Sequence, residues 1–339
     1  MRAQDSATAP TQIAVTAPTA GPTAGPATGP AAHTGTRTAA PAAATSAAGT
    51  VQAALGVVAF SLTFPATVWG LEGFGPWSLV TVRCVLAALI AGACLLGVRR
   101  PPGADGRRRR GVPVPARRHW PGLAVVAAGV VIGFPLLTTL ALRTSTTAHA
   151  AVVVGLLPLT TAVFSALRVG ARPSRRFWAA ALGGAAAVVA FTAAQSGGAL
   201  TAADLYLFGA LLVCAAGYTE GGRLARIMPG WQVIGWALVL CLPLAVPAAA
   251  LALSYEPVRL SAHGVAGLLW VAVGSQFLGL VVWYRGMAAV GIPRASQLQL
   301  AQPLLTLVWS VLLLGEHLTV AAPLTAAAVL VCIAVTQRA

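Results

Sequence analysis

The chain has 339 residues, 58% of them hydrophobic and 9% charged, with a formal net charge of +15 at pH 7. A soluble domain is about 25% charged, so the composition excludes an ordinary soluble protein and describes an integral membrane protein. Every basic residue is arginine, and the arginines cluster between apolar runs, which reads as a positive-inside bias and not as a nucleic-acid surface.

Residues 1–48 are Ala, Thr, Pro and Gly with almost no large apolar side chain, as in TAPTAGPTAGPATGPAAHTG, and read as a disordered cytoplasmic tail. The tail lacks the charged start, apolar run and cleavage site of a secretory signal, so it is expected to stay attached. From residue 49 apolar runs of about twenty residues, the length that crosses ~30 Å of hydrocarbon, alternate with short polar breaks. Ten spans are expected: 51–70, 77–98, 120–142, 147–168, 177–195, 203–221, 232–253, 264–284, 295–314 and 319–336.

Span one carries Ser61, Thr63, Pro65, Thr67 and Trp69, placing a hydroxyl one turn from a helix break at Pro65. Arg83 lies near the outer end of span two and reads as an interfacial or interhelical anchor or as a contact for an anionic group. His149 opens span four without a partner at metal spacing, and Pro158, Thr161 and Ser165 follow it. Span six ends AAGYTEGGR. There Glu220 is either a carrier of a coupled proton or a helix-end carboxylate paired with Arg223 at i+3.

Span eight contributes Ser275 and the deeper Gln276, with Trp283 and Tyr284 at its inner boundary. Span nine, RASQLQLAQPLLTLVWSVLLLGE, carries Gln297, Gln299, Gln302 and Pro303 in its first half. At 100° per residue Gln299, Gln302, Thr306 and Ser310 lie within about 80° of one another. Lipid offers them no hydrogen bonds, so this stripe lines a wet cavity or forms a polar seam between helices. Glu316 and His317 follow at the outer end, where a capping or loop role suffices. The cysteines Cys84, Cys94, Cys214, Cys241 and Cys332 all lie in apolar stretches without a C-x-x-C pair and read as small core hydrophobes. No cofactor or metal site is expected, and no G-x-x-x-x-G-K-[ST] loop holds a nucleotide.

Ten spans with a cytoplasmic N-terminus put both tails and almost every arginine on one face; Arg143 and Arg259 fall outside, together with Glu72, Asp204, Glu256 and Glu316. A shift of 145 residues lays Pro158 on Pro303, Thr161 on Thr306, Ser165 on Ser310 and Gly170 on Gly315, and a separate alignment of GPWSLVTV over PGWQVIGW lays Trp77 on Trp231. The chain therefore reads as two five-helix halves, 51–195 and 203–336. Five is odd, so the second half enters the membrane inverted, an architecture of many secondary transporters.

The stretches FPATVWGLEGFGPWSLVTVRCVLAALIAG, TLALRTSTTAHAAVVVGLLPLTTAVFSALRVG and WYRGMAAVGIPRASQLQLAQPLLTLVWSVLLLGEHLT resemble the EamA-type proteins of the drug/metabolite transporter superfamily, over essentially residues 51–336. One departure is Gly170-Ala171 where the second half has Gly315-Glu316. The resemblance implies an all-α, polytopic inner-membrane secondary transporter that exports a small polar or amphipathic metabolite, amino-acid-like or drug-like. The inverted repeat implies alternating access about a central site built from Ser61, Thr67, Gln276, Gln299, Gln302, Thr306 and Ser310, with Pro65, Pro158 and Pro303 as helix breaks and Glu220 as the coupling candidate. Its partners would be a small-molecule substrate, the lipid bilayer and, with coupling, protons; a homodimer is compatible with the sequence, and nucleic acid is not expected. The alternatives are a polytopic enzyme acting on a lipid-linked substrate and a non-transporting membrane subunit. Acids this few and scattered argue against the enzyme.

Overall fold

The computed structural model describes residues 40–97, 114–169, 174–195, 200–290 and 298–338. Most of the expected tail, most of the arginine-rich connection, and Gly170, Ala171, Arg294 and Gln297 lie outside the described residues. Among the described residues eight helices are long and apolar enough to cross a membrane: α1 (Ala47–Gly73), α2 (Pro76–Gly97), α3 (Arg117–Ala141), α4 (Thr147–Arg168), α5 (Arg175–Ala194), α6 (Ala202–Leu224), α7 (Gly230–Tyr255) and α8 (Ala262–Val290). Two shorter apolar helices, α9 (Ala301–Leu314) and α10 (Ala321–Cys332), complete the bundle.

Helix already begins at Ala40, inside the stretch expected to be disordered. APAAATSAAG is rich in alanine, the residue of best intrinsic helix propensity, and Gly49 then packs on Ala289 and Val290 of α8.

The helices are interrupted at related places. Irregular turns occur at Leu62, at Gly155–Leu156 and at Leu300, three residues before Pro65, Pro158 and Pro303. Proline lacks the N–H for a helical bond and its ring pushes on the carbonyl four residues earlier, so each turn marks where the ladder yields. In α3 and α8 the ladder instead widens into π-helix, over Ala127–Gly133 and Trp270–Gly279. A shift of 145 residues lays the first of these stretches within the second.

The helix pairings include α2 with α7, α1 with α8, α3 with α6, α5 with α10 and α4 with α9, together with α4 on α6 and α1 on α9. Exchanging the first five helices for the last five leaves this pattern unchanged. The α1–α8 pair closes to backbone distance on small residues. A side chain at Gly267 would strike the backbone of Ala66 and Gly70, and one at Gly286 the backbone of Ala53. Such close packing replaces the hydrophobic drive that helices lack in lipid.

At one end of the bundle two carboxylates cap helices distant in sequence. Glu256 accepts from Trp77 N (3.2 Å) and Ser78 N (2.7 Å) at the start of α2. Glu316 accepts from Thr147 N (2.8 Å) and Ala148 N (3.0 Å) at the start of α4. Both satisfy free N–H groups and meet the positive end of a helix dipole. Gly315, at φ 65°, ends α9 in the left-handed region and turns Glu316 toward α4.

Candidate functional site

The interior of the bundle holds a cavity of about 50 Å³ bounded mainly by α1, α3, α6 and α8, with single residues from α2, α4 and α9. Phe60, Phe64, Phe134, Leu157 and Leu280 form its apolar walls, and the rings of Phe64 and Phe134 stack with centroids 6.5 Å apart. Arg83, Gln276, Ser275, Thr63, Thr138 and Gln302 supply its polar surface.

The two π-helical stretches meet at this cavity. Gln276, within the stretch of α8, donates from Nε2 to the carbonyl of Val131 in the stretch of α3 (3.3 Å) and to Cys84 Sγ (3.5 Å). Its Oε1 is buried without a hydrogen-bond partner. The neighbouring Ser275 hydroxyl bonds that of Thr63 (2.7 Å), joining α8 to α1 beside the turn at Leu62. Single-turn π distortions often coincide with functional sites, because they re-aim side chains that a regular helix would stack.

Arg83 is 3% exposed and faces the bundle, so it does not snorkel to the membrane surface. Its Nε has no hydrogen-bond partner, and no ion pair reaches it among the described residues. Sequence reasoning left its role between anchor and anion contact. Arg83, Ala87 and Ala91 at i, i+4 and i+8 form one buried stripe on α2, and that run of small residues is the signal that its face looks inward.

A second, smaller cavity adjoins the first and shares Phe64, Leu157 and Gln302 with it. Here the interrupted helices α4 and α9 face each other: Val154, Gly155 and Pro158 on one side, Gln299, Pro303 and Thr306 on the other. Pro158 and Pro303 deprive the carbonyls of Val154 and Gln299 of their helical donors, and both residues line this space. The structure thus brings Gln276, Gln299, Gln302, Thr306, Pro158 and Pro303 to two adjoining cavities.

The remaining expected site residues sit in the packing around them. Thr306 Oγ1 donates to the carbonyl of Ser61 (2.9 Å), the group that Pro65 leaves without its helical donor, and Trp309 Nε1 donates to the Ser61 hydroxyl (3.0 Å). Thr67 and Ser310 are buried and bond the backbone of their own helices. This is a polar seam between α1 and α9.

Glu220 sits at the arginine-rich end and bonds two guanidinium groups, Arg168 Nε (2.8 Å) on α4 and Arg223 Nε (2.7 Å) on its own helix. The i+3 partner follows from the sequence, whereas Arg168 does not. At the opposite end His149 Nε2 lies 2.6 Å from Oδ1 of Asp204, whose Oδ2 completes a capping box with Thr201. His149 borders a vestibule of about 390 Å³ lined also by Thr146, Thr201 and His317. Helices α4 and α6 are therefore tied at both ends. Among the described residues no group of three or more His, Cys, Asp or Glu could hold a metal.

The sequence profile of the EamA-like transporter family matches the chain twice, at residues 47–193 and 201–337. An uncharacterized transporter of Bacillus subtilis, YdeK, is 42% identical over 293 residues, which are 86% of this chain and 97% of the relative. An uncharacterized transporter of Haemophilus influenzae is 28% identical over 125 residues, 35% of this chain and 74% of the relative. Among solved proteins, one crystal structure aligns with a TM-score of 0.57 at 21% identity, covering 85% of this chain and 96% of that one, a likeness of fold.

Proposed function

From the premise that this chain belongs to the EamA-like transporter family, and is thus a multi-pass membrane protein pointing to transport rather than enzymatic catalysis, we propose that it is an inner-membrane secondary transporter exporting a small polar or amphipathic metabolite by alternating access. The observation that carries this reading is the cavity at the junction of α1, α3, α6 and α8, where both π-helical stretches and Gln302 of the interrupted helix α9 converge. Interrupted helices near the midplane leave backbone and side-chain polar groups for a solute that lipid could never satisfy.

Two inverted five-helix repeats, about 51–195 and 203–336, supply the mechanism. The double match to the family profile and the exchange-symmetric helix pairing favour this division. Two halves related in that way have two equivalent arrangements, one opening the cavity to each side. The arginine-rich end would be cytoplasmic, with both termini there, and the vestibule beside His149 would open outward. The ties His149–Asp204 and Arg168–Glu220 favour α4 and α6 moving as one body. Proton coupling at Glu220 would require that carboxylate to release Arg168 and Arg223 during the cycle.

The test is metabolite profiling of medium and cytosol from otherwise identical cells lacking or overproducing the protein. Export predicts at least one compound that falls outside and accumulates inside on deletion, with the reverse on overproduction. No reciprocal change across a broad panel sinks the exporter reading.

A further inference from the structure

Resting on that transporter reading, we infer that the solute of the central cavity carries a single anionic group, a carboxylate, whose counter-charge is Arg83. The guanidinium is 3% exposed, its Nε is unpartnered, and it borders the central cavity rather than a packed interface. A charge held in low dielectric without a partner is costly. The usual remedies are not at hand: burial prevents snorkelling, no carboxylate among the described residues pairs with it, and its place in the first half of α2 puts it nearer the positive end of that helix dipole. A bound anion removes the cost.

The surroundings narrow the anion. Among the described residues Arg83 is the only one of permanent positive charge lining the cavity, and no Asp or Glu lines it. One guanidinium balances one negative charge, and its planar fork matches a carboxylate in bidentate fashion. A phosphate dianion would leave a second charge uncompensated among Phe60, Phe64 and Phe134. The free Oε1 of Gln276, held in place by the amide's bond to Val131, accepts from an O–H or N–H elsewhere on the same solute. The expected substrate is a small organic acid with one additional hydrogen-bond donor and an apolar body.

The experiment compares full-length wild type, Arg83→Gln and Arg83→Lys. Purified in detergent without added solute, Arg83→Gln should melt a few degrees above wild type, since it removes an unpaired buried charge. A lower melting temperature would mean that Arg83 serves packing, and would overturn the inference. In the metabolite-profiling strains, compounds moved by wild type should be carboxylates, with flux at least tenfold lower in Arg83→Gln at equal membrane abundance and partly kept in Arg83→Lys. If wild type moves only amines or neutral compounds, or Arg83→Gln carries a carboxylate at the wild-type rate, the inference fails while the transporter reading stands. If wild type moves nothing, the transporter reading fails and this inference with it.

Discussion

Glu220 and Arg83 are both buried charges, 9% and 3% exposed, yet one end of the molecule gives Glu220 two arginine partners while the centre leaves Arg83 with none among the described residues. The contrast separates two uses of charge in a membrane bundle. A charge whose partners are built in holds helices together, here α4 to α6, and is satisfied in the resting protein. A charge left without a partner beside a cavity is satisfied only by what enters. Burial alone does not distinguish them; the partner list does.

The contrast can be broken by substitution. Glu220→Leu strands Arg168 and Arg223 and should cost about 2 kcal/mol of stability, moderated because those arginine side chains are 61% and 42% exposed. Unfolding titrations would read this, and a stability as high as wild type would mean the ion pairs contribute nothing. If Glu220→Gln still transports with a full response to a pH gradient, the carboxylate holds structure and does not couple protons. Abolition of that response would place Glu220 with the transient charges.

Thr306→Val sharpens the middle of the scale. It leaves the Ser61 carbonyl, already without a helical donor because of Pro65, short of a partner, and should cost about 1–2 kcal/mol. A melting temperature unchanged from wild type would show that the seam is dispensable. Gln276→Leu removes one satisfied amide face and one free face. Its bond to Val131 is worth about 1 kcal/mol, so transport should fall more than stability does, and an equal loss of both would count against the free Oε1 as a solute contact. Glu256→Gln is the mildest change. The neutral amide can still accept from Ser78 N, so only the charge–dipole part, about 0.3–1 kcal/mol, should go, and added salt should shrink the difference.

The spans were legible because twenty-residue apolar runs and arginine-rich breaks are strong signals of length and sidedness, and proline told where α1, α4 and α9 would yield. The π-helical stretches were not. Neither AAGVVIG nor WVAVGSQFLG itself contains a residue that demands a wider turn, but Pro135, just after the first, leaves the Val131 carbonyl without its helical donor, and that is the carbonyl Gln276 meets. Gln276 and Gln302 stood out as amides in apolar sequence, but Ser61, Thr67 and Ser310, equally polar on paper, are used up by neighbouring backbone and by Trp309. The position of Arg83 near a helix end leaves its role open between an anchor and an anion contact. Its alignment with Ala87 and Ala91 is the better guide, because lipid-facing stripes carry large side chains.

The capping carboxylates have a consequence for how the chain comes into being. The first amides of α2 and α4 leave the ribosome early, but the acids that satisfy them arrive far later, Glu256 lying 179 residues after Trp77 and Glu316 lying 169 after Thr147. Through most of synthesis these helix starts must be tended by water or headgroups at the membrane surface. The first half is thus finished by the second, and a polypeptide truncated before Glu316 would be inserted yet still open at its seams.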